Sequence, residues 1–91
     1  MQYQLAEYYF QGKNYSLALK EFLKLFYLYP QNQELVATAL YRSGECYEAE
    51  GNPQEARKTY LKLISRYPES SWVKYAAQKV ETLEMSADRK Q

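Results

Sequence analysis

Tyr29-Pro30 and Tyr67-Pro68 each close an apolar, lysine-bearing stretch, and the two prolines stand 38 residues apart. At that offset Ala6 falls on Gly44, Tyr9 on Tyr47, Ala18 on Ala56, Phe22 on Tyr60, Leu23 on Leu61 and Leu25 on Leu63. Exposed-type positions agree too, Lys20 with Lys58 and Lys24 with Lys62. Matches of type at so many places describe an internal duplication. The fold is therefore restricted to two similar units laid side by side.

Each unit reads as two helices. Leu35, Val36, Ala39, Leu40, Gly44 and Tyr47 recur at steps of three and four, the helical period. A break follows at Glu50-Gly51-Asn52-Pro53. Asn52 suits an N-cap, Pro53 the first helical position and Glu55 the third, which predicts a capping box. The next helix shows Ala56, Tyr60, Leu63 and Ile64 on one face. The first unit repeats the plan, with Gln11-Gly12-Lys13-Asn14 as its break and Ala18, Phe22, Leu25 and Phe26 as its face. Proline has no amide hydrogen and biases its predecessor away from helical angles, so both Tyr-Pro pairs are stops. After Pro68, Ser70 or Ser71 is expected to cap a fifth helix striped by Val73, Ala76, Ala77, Val80 and Leu83. The tail from Ser86 to Gln91 has no periodicity and is expected to fray.

The small residues have a mechanical role. Ala6, Gly44, Ala18 and Ala56 fall where two helices cross closely, and Tyr9, Tyr47, Phe22 and Tyr60 fill the space beside them. The expectation is an all-α chain forming a single domain over residues 1–86. It has a first unit at about 1–30, a second at about 31–68, a capping helix at about 70–85 and a tail at 86–91.

Composition removes several functions. A net charge of +1 gives no global attraction to nucleic acid or an acidic membrane surface. There is no histidine, hence neither the commonest general base nor the commonest metal ligand. One cysteine, Cys46, forms no disulfide within the chain. Its neighbour Glu45 disfavours a thiolate, which marks Cys46 as a packing residue. No apolar run reaches the ~18 residues of a membrane span. Glu45, Glu48 and Glu50 have no phosphate loop or metal-ligand spacing to work with. No catalytic residue, cofactor or metal is expected.

Residues 44–68, GECYEAEGNPQEARKTYLKLISRYP, resemble a tetratricopeptide repeat. The family's small, tyrosine, alanine, aromatic, aliphatic and proline positions fall on Gly44, Tyr47, Ala56, Tyr60, Leu63 and Pro68. In the first unit they fall on Ala6, Tyr9, Ala18, Phe22, Leu25 and Pro30. Leu40 takes the tryptophan-like position and Ser43 replaces the leucine after it. The 38-residue spacing exceeds the family's usual ~34, and the surplus is expected to lengthen the second unit's first helix at Gln33 to Val36. The resemblance implies a right-handed superhelical stack of two helix pairs with a capping helix. The Tyr-Pro-(Glu/Gln)-(Ser/Asn) phrase is similar to a bacterial envelope subset, the outer-membrane-assembly lipoproteins and the Tol–Pal-associated coordinator. A periplasmic or envelope location is implied ahead of a cytoplasmic one.

The resemblance also implies a groove lined by the first helix of each pair. Residues facing it would be Tyr3, Glu7, Phe10 and Gln11, then Thr38, Tyr41, Glu45 and Glu48, with Ala49 beside them. Lys74, Gln78 and Glu81 would close one end. This aromatic, acidic surface suits a partner peptide or helix with apolar anchors and a Lys or Arg. The alternative is that these are solvated helix residues whose tyrosines merely cover the core. The family's lysine-and-asparagine carboxylate clamp is disfavoured, because Tyr3 and Glu7 stand in its place. Lys20, Lys24, Arg57, Lys58, Lys62 and Arg66 form a basic outer surface, read as a solvated face rather than a nucleic-acid or lipid contact. The expected role is non-catalytic protein recognition, with no nucleic acid and no direct membrane insertion. Its rival is a slice of a longer solenoid stacking end to end, a homo-oligomer through exposed end helices.

Overall fold

The computed structural model describes residues 2–89, with side chains from Tyr3 to Met85. Five helices follow one another: α1 (Gln2–Gln11), α2 (Tyr15–Leu28), α3 (Gln33–Ala49), α4 (Pro53–Arg66) and α5 (Val73–Arg89). There is no strand among the described residues. Each helix packs mainly on its neighbours in sequence, giving a slab of 43 × 30 × 16 Å. The architecture is the expected all-α stack of two helix pairs and a terminal helix.

Both Tyr-Pro stops work alike. The amide of Tyr29 donates to the Leu25 carbonyl at 3.0 Å, and that of Tyr67 to Leu63 at 2.9 Å. Their backbone angles are φ −131°, ψ 53° and φ −130°, ψ 59°. The turns inside the two pairs match too, with Asn14 donating to the Tyr9 carbonyl and Asn52 to Tyr47, each at 2.8 Å. Each of these turns passes through a left-handed residue, Lys13 (φ 63°) in one and Gly51 (φ 77°) in the other.

The caps are less uniform. Asn32 accepts from the Leu35 amide at 3.2 Å, and Asn52 from Glu55 at 3.5 Å, whereas the Asn14 side chain makes no cap bond. The capping box expected at Asn52 is half formed. Glu55 turns to Lys58 at 3.3 Å, and the Asn52 amide is already committed to Tyr47. Neither Ser70 nor Ser71 caps α5 as expected. The Ser70 hydroxyl accepts from the Trp72 amide at 3.0 Å, and both hydroxyls donate to Glu34 Oε1, at 2.9 and 3.0 Å. The α4–α5 turn is thereby tied to the start of α3. Helix α5 runs on to Arg89, past the expected end near 85, through residues such as Met85 and Ala87 that favour helix. Residues 90–91 lie outside the described residues.

Ala6, Ala18 and Ala56 have no exposed surface, and Gly44 is buried. At Gly44 a Cβ would overlap the Cε1–Cζ edge of the Tyr60 ring, so only glycine lets α3 come that close to α4. Two apolar clusters result. One joins Ala6, Ala18, Phe22 and Leu25 to Ala39 and Cys46 of α3. The other joins Val36, Leu40, Ala56, Tyr60 and Leu63 to Ala76 and Val80 of α5. Burying each large side chain contributes about 1.5–3 kcal/mol. Ala77, expected on the α5 stripe, is exposed.

Candidate partner-binding surface

Helices α1, α3 and α5 meet along one flank of the slab, where their side chains form three connected groups. In the first, Arg42 of α3 reaches back to α1. Its Nε donates to Glu7 at 3.2 Å and its Nη1 to Glu45 at 2.7 Å. The same guanidinium lies 5.1 Å from the centre of the Phe10 ring, a cation–π distance. Burial opposes the Arg42 charge, but Glu45 and Glu7 more than offset it and hold the group above its ordinary pKa. Tyr3 stands beside this group, its ring edge-on to Phe22 at 6.2 Å. Burial and the Glu7 carboxylate raise its pKa, so it stays a neutral hydroxyl.

In the second group Trp72, at the head of α5, lies over Tyr41 with ring centres 4.6 Å apart and planes 25° from parallel. Its Nε1–H donates to Thr38 Oγ1 at 2.6 Å, and the Thr38 hydroxyl donates to the Glu34 carbonyl at 2.8 Å. Tyr41 also meets Tyr60 at 5.6 Å. Pressed between two rings, Tyr41 is 8% exposed.

The third group surrounds Glu48. It accepts the Tyr60 hydroxyl at 2.5 Å and faces Lys79 of α5 at 3.7 Å. Burial, followed by the hydrogen bond to Glu48, pushes the Tyr60 pKa well above its ordinary value.

The proposed groove residues are thus distributed unevenly. Tyr3, Glu7, Phe10 and Glu45 come together around Arg42 and are half-buried, while Gln11 and Ala49 are exposed at its edge. Thr38 is half covered by Trp72, and Tyr41 belongs to the core. Besides the core residues Ala76 and Val80, the side chains here that reach α3 are Trp72, just ahead of α5, and Lys79, with Tyr75 leaning on Trp72 at 5.8 Å. The expected Lys74, Gln78 and Glu81 are all exposed, without a contact to α3 among the hydrogen bonds and ion pairs. The surface is also less acidic than its glutamates suggest, because Arg42 serves two of them and Lys79 a third. The sequence reading missed Trp72, whose one signal is that it is the only tryptophan in the chain.

On the opposite flank the basic residues are largely engaged. Lys24 pairs with Glu21 at 3.0 Å, Arg57 with Glu84 at 2.8 Å and Lys58 with Glu55 at 3.3 Å. Lys62 and Arg66 sit over the Phe26 ring at 5.1 and 5.7 Å. Cys46 has no exposed surface, and burial, then Glu50 and Glu45, push its thiol up to about 12. It packs and stays protonated. Among the described residues no three or more metal-type ligands converge, and no helix is long and apolar enough to cross a membrane.

A tetratricopeptide repeat family model matches residues 1–32, and another matches residues 38–70. The chain belongs to the tetratricopeptide repeat family. The segment between the two matches opens α3, where the surplus over the usual repeat length was expected. No match to the chain is found among curated proteins. Tetratricopeptide repeats generally mediate protein–protein interaction and are generally not catalytic.

Proposed function

We propose that this domain recognises a segment of a partner protein, peptide or helix, on the flank shared by α1, α3 and α5. The observation that carries the reading is the Glu7–Arg42–Glu45 group over Phe10. It joins two helices from different repeats and leaves aromatic and charged atoms half open to solvent. Tyr3, Phe10 and Gln11 supply contact area, and Glu7 and Glu45 together carry one more negative charge than Arg42 neutralises. A segment with apolar anchors and one Lys or Arg complements that arrangement. Thr38 and Tyr41 act from beneath, by fixing Trp72, and Glu48 by fixing Lys79. The Tyr-Pro resemblance makes bacterial envelope proteins the partner class to examine first.

The test is selection of binding peptides from a random displayed library on the purified chain. Recovered peptides should share apolar residues and a cation. Glu7→Gln with Glu45→Gln should weaken their binding about tenfold or more while leaving the helical circular dichroism unchanged. Peptides that bind the double variant equally well would remove this flank from the reading.

A further inference from the structure

Five residues of α3 lie on one stripe at steps of four and three: Glu34, Thr38, Tyr41, Glu45 and Glu48. Glu34, the first of them, is exposed and accepts the Ser70 and Ser71 hydroxyls rather than a cation. It borders a cleft of about 470 Å³ whose charged lining is Glu34, Glu69 and Arg66. Further along the stripe, Glu45 and Glu7 share Arg42. Each of these two places therefore holds two carboxylates to one guanidinium, an excess of one negative charge. Between them lies aromatic surface. Trp72 is half-buried against Tyr41, and Tyr75 beside it is 51% exposed. Glu48, at the far end, is already matched by Lys79 at 3.7 Å.

Resting on the reading that this flank recognises a partner segment, we propose that the segment is a helix lying along α3. It carries two basic residues eleven positions apart, with aliphatic residues between them on the same face. Eleven residues separate Glu34 from Glu45, which is about 16 Å along the helix axis and about three turns. A partner helix alongside matches that span with its own residues eleven apart, because the same three turns return both side chains to one face. An extended chain covers the distance in about five residues, and an odd step along a strand points its two side chains to opposite faces. One Lys or Arg at each end neutralises the excess charge there. Aliphatic side chains four and seven residues after the first cation then fall over the Trp72 and Tyr75 rings. Glu34 joins the flank as the residue that sets the spacing of the cations.

Two alanine-rich helical peptides of identical composition test this on the full chain, with binding read from the fluorescence of Trp72, its only tryptophan. In one, two lysines eleven residues apart bracket leucines at the fourth and seventh positions after the first lysine. In the other, the second lysine is moved two residues nearer, to the far side of the helix. The first peptide should bind about fivefold tighter, the effect of one solvent-exposed ion pair, and Glu34→Gln should weaken it by a similar factor. Glutamine still accepts from Ser70 and Ser71, so the turn stays tied and the helical circular dichroism should not change. Equal binding of the two peptides, or a first peptide indifferent to Glu34→Gln, overturns the proposal. Glu7→Gln with Glu45→Gln separates it from the reading it rests on. If that pair weakens the library-selected peptides while Glu34→Gln does not, the flank still binds a segment but the paired-cation helix is wrong. If neither has an effect, both are wrong.

Discussion

The two repeats solve one packing problem with different chemistry. In the first, Phe22 fills the gap between α1 and α2 and meets Phe10 edge-on, ring centres 6.4 Å apart. In the second, Tyr60 takes the place of Phe22, and its hydroxyl is received by Glu48, the counterpart of Phe10. Two positions have changed together. A buried hydroxyl without an acceptor costs free energy, so a tyrosine in the gap demands an acceptor where the other repeat has a phenyl ring. The larger ring also comes closer to the facing helix, which is why Ala6 of the first repeat corresponds to Gly44 of the second. The pairing of small and bulky residues is a relation between positions, and each repeat satisfies it with its own set.

The largest effect should appear at Gly44. Pressing a methyl against the edge of the Tyr60 ring in Gly44→Ala should cost about 3 kcal/mol, at the upper end of overpacking, whereas Ala6→Gly should cost about 1 kcal/mol. Urea denaturation of the two variants checks this. Equal losses would mean that the crossings are not set by the aromatic residue. Next comes the exchange of the aromatic pair. Phe22→Tyr should cost about 2 kcal/mol because its hydroxyl meets Phe10, and Tyr60→Phe about 1 kcal/mol through the lost bond to Glu48. Adding Phe10→Glu to Phe22→Tyr should recover part of the loss, a coupling that a double-mutant cycle reads directly. An additive cycle would show that the two repeats differ at these sites independently.

The smallest effect concerns the turns. Lys13 holds a left-handed conformation that its counterpart Gly51 adopts without steric cost. Lys13→Gly should therefore raise the thermal midpoint, by about 1 kcal/mol of stability at most. Gly51→Lys should lower it by a similar amount. A destabilised Lys13→Gly variant would mean that the Lys13 side chain contributes something the turn geometry does not reveal.

Much of the fold was legible in the chain because the duplication presents each structural rule twice. The Tyr-Pro stops, the helix pairs and the buried Ala18 and Ala56 followed from spacing and proline chemistry. The fifth helix was harder. Its stripe predicted Ala76 and Val80 correctly but included Ala77, since an alanine's burial depends on what passes over it. The binding flank was the least legible part. Tyr41 carries the same residue type as Tyr3, yet one is sealed beneath Trp72 and the other half open. Seven residues of helical register say which way a side chain leaves its own helix. They do not say whether a ring from a distant turn lies over it.

Local rules therefore decided where helices begin and end and which face of each is apolar, because those depend on backbone dihedrals and on a period of 3.6 residues. The pairing of Arg42 with Glu7, the covering of Tyr41 by Trp72 and the tie from Ser70 and Ser71 to Glu34 were decided by the packed structure. Each joins positions far apart in the chain, and charge and hydrogen bonding act over distances of a few ångströms in space rather than along the sequence.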